Sequence, residues 1–149
     1  MQLSRLTLVL LVFIGVSACH DSTAPILRTY ELTAIDGHPL PVTFMGVDGG
    51  STVLSGRLYL YGSGQAVKVD QYRDYSANGG GMTLDRTEQQ PGDYTITNDS
   101  IRVGWRVGSC GGPCVSDDIG AFSDSMLTLT IDLMPRTRPV YSYRRIGAF

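Results

Sequence analysis

Apolar residues follow two different patterns along this chain. Leu6 to Val16 (LTLVLLVFIGV) form an unbroken apolar run. From Arg28 onward apolar and polar residues alternate with period two, the spacing of a strand that buries one face. Tyr30, Leu32 and Ala34 share one face and Thr29, Glu31 and Thr33 the other, and Asp36-Gly37 is a turn signal before Val42 and Phe44. Residues 55–75 (SGRLYLYGSGQAVKVDQYRDY) predict a hairpin. Leu58 and Leu60 alternate with Arg57, Tyr59 and Tyr61, Gly62-Ser63-Gly64 turns the chain, and Val67 and Val69 alternate with Lys68 and Asp70. Residues 92–105 (GDYTITNDSIRVGW) predict a second hairpin that turns at Thr97-Asn98-Asp99. Residues 125–133 (SMLTLTIDL) and 138–146 (RPVYSYRRI) predict the last pair. Residues 76–83 and 107–124 read as long loops, and in the second Ile119, Ala121 and Phe122 are expected to form a turn that plugs one end of the fold.

This spacing predicts about seven to nine strands and no sustained helical period. The fold class is all-β: a small antiparallel up-and-down barrel, with a two-sheet β-sandwich as the alternative. A barrel leaves no exposed edges, which suits a chain rich in β-branched and aromatic residues. The length of 149 residues fits one such domain. A hydrophobic content of 42% with 17% charged residues is ordinary for a folded protein, and 18 glycines and seven prolines supply many turns.

The N-terminal run has its own meaning. Met1 to Arg5 is short and positively charged, Leu6 to Val16 is apolar, and Ser17-Ala18 are small, the order of a secretory signal. The run is too short to span a bilayer as a helix, which takes about 20 residues. Val16-Ser17-Ala18-Cys19 resembles the lipobox of bacterial lipoproteins, with an aliphatic residue, two small residues and a cysteine. That resemblance implies cleavage before Cys19 and acylation of its sulfur and its amino group. Stable anchoring needs more than one acyl chain. The alternative is an ordinary secretory signal with a chance cysteine near the cut. His20, rather than aspartate, follows Cys19, which in that family favours the outer membrane. The expected organisation is therefore a signal peptide over residues 1–18, a lipid-anchored tether over 19–27 and one β domain over 28–149. Removal of residues 1–18 leaves 11 basic side chains (12 less Arg5) against 14 acidic ones, a formal charge of −3. The charges are scattered, so nucleic acid is not an expected partner.

Few residues suggest chemistry. Cys110 and Cys114 stand as C-G-G-P-C, and in an exported chain a local disulfide is the natural reading; a redox pair, a metal site and free thiols are the alternatives. No G-x-S-x-G motif occurs, and the only histidine inside the domain, His38, sits between Gly37 and Pro39 where an exposed turn is expected. Asp117 and Asp118 are adjacent, so their side chains should point apart, and Glu31 and Glu88, the only glutamates, fall on expected solvent faces. No catalytic residue, metal or cofactor is assigned, and the protein is not expected to be an enzyme.

Four segments, YELTAIDGHPLPV (30–42), GRLYLYGSGQAVKV (56–69), GDYTITNDSIRV (92–103) and LTLTI…VYSYRR (127–145), follow an order similar to small bacterial lipoproteins with lipocalin-like barrels. The chain departs from true lipocalins in lacking a glycine-x-tryptophan near the first strand; its one tryptophan, Trp105, comes late. The resemblance implies a barrel that can hold a small apolar ligand, with Tyr30, Leu58, Leu60, Tyr94 and Trp105 as expected lining. The eight tyrosines suit either such a cavity or a surface for an envelope protein partner. The second functional expectation is thus a packed barrel acting through its outer face.

Overall fold

A computed structural model of the chain describes residues 25–46, 49–76, 83–107, 114–131 and 138–147. Cys19, Cys110 and the signal and lipobox segment lie outside these residues. The strands are β1 (Ile26–Ile35), β2 (His38–Pro39), β3 (Val42–Gly46), β4 (Gly49–Tyr61), β5 (Gln65–Ser76), β6 (Thr83–Thr97), β7 (Ser100–Val107), β8 (Cys114–Ala121), β9 (Met126–Thr130) and β10 (Val140–Gly147). β1 thus begins inside the segment read as tether.

Eight strands, in the order β1-β10-β9-β8-β7-β6-β5-β4, form a closed antiparallel barrel, because β4 pairs back onto β1. Every connection joins neighbours once β2 and β3 are set aside, so the barrel is up-and-down. β2 and β3 form an excursion between the first two barrel strands. Asp36 and Gly37, both at positive φ (51° and 78°), turn the chain from β1 into β2. Primed hairpin turns need this conformation, and their twist matches that of the strands.

The inner face holds Tyr30, Leu32, Leu58, Leu60, Ala66, Ile101, Val103, Trp105, Leu127, Leu129, Tyr141 and Tyr143, all buried. Glycine makes room at two close approaches. A Cβ on Gly56 would lie 2.5 Å from Asp70 Oδ1 and 3.0 Å from Leu32, and one on Gly92 would lie 2.6 Å from the Gly104 carbonyl oxygen and 2.8 Å from the Trp105 ring. The barrel's two ends differ. At one, the turns at Gly62–Gly64 and Asn98-Asp99 and the bend at Phe122 come together; this is the turn end. At the other, β4, β5 and β6 run past their neighbours as a flap edged by β3, which pairs with residues 49–53 of β4.

Three expectations are corrected. Val67 and Val69 are not the buried face of β5. Leu58 lies opposite Lys68 and Leu60 opposite Ala66, and directly opposed residues share a face, so Ala66, Lys68, Asp70 and Tyr72 turn inward. The register set by the Gly62–Gly64 turn outweighs the valines' preference for burial. Secondly, much of the expected 107–124 loop is strand β8, paired with β7 from Ser100↔Ala121 to Val107↔Cys114. Thirdly, the expected plug is Phe122 alone. Its half-buried ring meets Tyr30 edge-on at 6.3 Å, with the Arg28 guanidinium 4.8 Å from its centre, whereas Ile119 and Ala121 are exposed on β8.

Among the described residues the β8–β9 seam is the thinnest in the barrel. One residue pair, Ile119↔Thr130, forms its ladder, and a bridge joins Phe122 to Leu127. Gly120 lies directly against the Thr128 carbonyl, which occupies the space a side chain there would need.

Candidate binding site in the barrel

The expected lining residues share the barrel interior. Tyr30, Leu58, Leu60 and Trp105 are no more than 1% exposed and pack into one core cluster. Tyr94, half-buried at the turn end, donates its hydroxyl to the Tyr61 carbonyl at 2.9 Å. The structure brings these residues together as parts of one packed core, with Tyr94 against its edge.

Next to them lies a polar cluster that the sequence did not reveal. Lys68 Nζ sits 5.1 Å from the Trp105 ring centre and 3.9 Å from Asp70 Oδ2, which also accepts a bond from the Tyr72 hydroxyl at 3.1 Å. Trp105 Nε1 donates to Asp118 Oδ2 at 2.5 Å. Tyr141 and Tyr143 stack at 6.5 Å beside these groups. Asp70 Oδ1 and the Tyr143 hydroxyl are buried and have no hydrogen-bond partner among the described residues. Burial raises the Asp70 carboxyl above the usual aspartate range, against the opposing pull of Lys68 and of the Tyr72 hydrogen bond. Burial likewise lifts the phenols of Tyr72, Tyr141 and Tyr143, with the Asp70 charge adding to it. The cluster is thus a place where charge is costly and neutral hydrogen bonding is favoured.

Arg86 covers Tyr72 from the flap. Its guanidinium lies 4.4 Å from the Tyr72 ring centre and bonds Asp74 Oδ2 at 2.6 Å and Glu88 Oε2 at 2.7 Å. Ser51 donates to the other Asp74 oxygen at 2.6 Å, and that bond, with Arg86, holds Asp74 below the usual carboxylate range.

Chemistry elsewhere is sparse. Asp117 and Asp118 point apart: Asp117 pairs with Arg102 on the outer face while Asp118 is buried. His38 is exposed in β2. Among the described residues no three His, Cys, Asp or Glu side chains gather as a metal site. A hollow of about 260 Å³ opens on the outer wall over Gly104, lined by Asp93, Thr95, Arg102 and Asp117. Its charges are matched by the Arg102–Asp117 and Arg106–Asp93 pairs. It is also smaller and shallower than the concave, mostly apolar sites that hold small molecules, roughly 300–1,000 Å³.

One signal for the inner cluster was present in the sequence. A buried indole N–H needs an acceptor, and Trp105 on an inward face called for a polar residue on a neighbouring strand. Nothing in the alternation of β5 marked Lys68 and Asp70 as interior. No protein-family model, curated protein or solved structure matches this chain.

Proposed function

We propose that the chain is a lipoprotein of the bacterial cell envelope, anchored through acyl groups on Cys19, with its barrel acting as a non-catalytic binding module for a small molecule. The lipobox resemblance supports the anchor, and His20 favours the outer membrane, with the domain in the periplasm and a Cys110–Cys114 disulfide stapling the approach to β8. The binding reading rests on one observation: Asp70 Oδ1 and the Tyr143 hydroxyl, both buried in the barrel, have no hydrogen-bond partner among the described residues. Leaving a buried polar group unsatisfied costs about 1–3 kcal/mol, and proteins keep few of them. A wholly apolar cargo would leave both groups unmet, so the ligand is a largely apolar molecule with a hydrogen-bonding head, seated with that head at Asp70 and Tyr143.

A packed barrel that works through its outer surface is the second reading. The near-complete burial of Tyr30, Leu58, Leu60 and Trp105 favours it.

The test is intact-mass and organic-phase analysis of the full chain extracted from its native membrane. Acyl mass that disappears in Cys19→Ala, together with a co-extracted molecule that is depleted in Asp70→Asn and Tyr143→Phe, supports the proposal. An acylated but empty chain moves the assignment to the second reading. A processed chain without acyl mass overturns the anchor.

A further inference from the structure

We infer that the flap edge of β6 pairs with the same edge of a second copy of this chain, in an antiparallel register centred on Thr87. β6 pairs with β5 from Thr83 to Asp93, but with β7 only from Gly92 to Thr97. Among the described residues no strand covers the other side of residues 83–91, which are exposed apart from the half-buried Gln90. An uncovered strand of this length is a template for another strand.

Three observations fix which backbone groups face that free side. Tyr94 N–H donates at 2.8 Å to the Gly64 carbonyl, on the β5 side. Thr97 and Ser100 flank a two-residue turn, so Thr97 bonds toward β7. Pro91 has no N–H to give to β5. With a period of two, the N–H and C=O groups of Thr83, Asp85, Thr87 and Gln89 therefore point to the open side.

Charge selects both the occupant and the register. Directly opposed residues in an antiparallel pair share a face. Centring on Arg86 or on Glu88 would set like charges against each other. Centring on Thr87 sets Arg86 opposite the partner's Glu88 and Glu88 opposite the partner's Arg86. These are non-hydrogen-bonded positions, where facing side chains come closest. Asp85 then lies opposite the partner's Gln89, and Thr87 opposite the partner's Thr87. Charged residues usually blunt an edge. Here the pattern is complementary to itself, which points to a second copy of this chain as the occupant.

Cross-linking the full chain tests this register. At a hydrogen-bonded antiparallel pair the Cα atoms lie about 5.5 Å apart, within disulfide reach of about 4.4–6.8 Å. Thr87→Cys should give a covalent dimer on mild oxidation, well above the level seen for the parent chain and for Thr95→Cys, which lies where β7 covers β6. Thr87→Pro removes an N–H that faces only the free edge. It should shift the sedimenting species from dimer to monomer while leaving the thermal midpoint nearly unchanged. A parent chain that stays monomeric across micromolar concentrations, or a Thr87→Cys chain that cross-links no more than Thr95→Cys, overturns the inference. The Thr87→Cys result decides the matter even if the proline variant folds poorly.

Discussion

Asp70 carries an unusual burden for one side chain. It is 1% exposed, meets Lys68 and Tyr72 through one oxygen, and has Gly56 against the other. Its raised carboxyl sets the sign of a pH effect. Between the ordinary aspartate value of about 4 and its own higher value, the folded chain binds more protons than the unfolded one. Stability therefore falls as pH rises through that window. Asp74, Asp85 and Asp117 act in the opposite sense, because hydrogen bonds from Ser51, Arg73 and Arg102 respectively hold them below the usual range. Their contribution is present above about pH 4 and is lost as pH falls through their lowered values. Denaturant unfolding across a pH series should show a decline above about pH 4 that Asp70→Asn removes. An unchanged decline in that variant would assign the effect to another group. Lys68 loses its carboxylate in the same variant, so the slope is the informative quantity and the absolute stability is not.

At the scale of elements, strands were legible wherever one face was clearly apolar, as in β1, the second half of β4, β9 and β10. β5 was misread because its apolar residues fall on both faces: Ala66 and Tyr72 on one, Val67 and Val69 on the other. Only the pairing with Leu58 and Leu60, a relation between strands, decides between them. β8 gave no signal at all, since its inward positions Ser116, Asp118 and Gly120 are small or polar. Such a strand alternates without alternating in hydrophobicity. The candidate site was half legible for the same reason: its aromatic members stood out, and its carboxylates lay on the two strands whose inner faces were hidden. The seam beside β8 yields a sharp expectation. In Gly120→Val the side chain meets the Thr128 carbonyl, a backbone atom that cannot swing aside. Overpacking of this kind costs about 1–3 kcal/mol. The variant should lower the denaturation midpoint by a corresponding amount and speed hydrogen exchange in β8 and β9 ahead of β4 and β5. Uniform acceleration across all strands would mean that the seam is not a separate weak point.

As a whole, the molecule is a meander whose ends must meet before it is complete. β1 is held between β10 and β4, so Tyr30 lies opposite both Arg145 and Leu58. The wall closes only when the last strand joins the first, a pairing between residues more than a hundred positions apart in sequence, and contacts of such long range slow folding. The same closure fixes where the chain enters. Pro25 accepts a hydrogen bond from Gly62 N–H at 3.1 Å, so the chain comes onto the barrel at Pro25 beside the β4–β5 turn, at the turn end. From Cys19 to Ile26 an extended chain spans at most about 25 Å. Under the anchor proposed at Cys19, so short a link would act as a compass as well as a tether. It would turn Ser63 and Phe122 toward the lipid and would carry the flap, with Arg86 above Tyr72 and the outer edge of β6, out into the aqueous space. A fluorophore at Ser63 of the membrane-bound chain should be quenched by headgroup-labelled lipid and one at Thr87 spared, and the reverse result would mean the barrel stands the other way up.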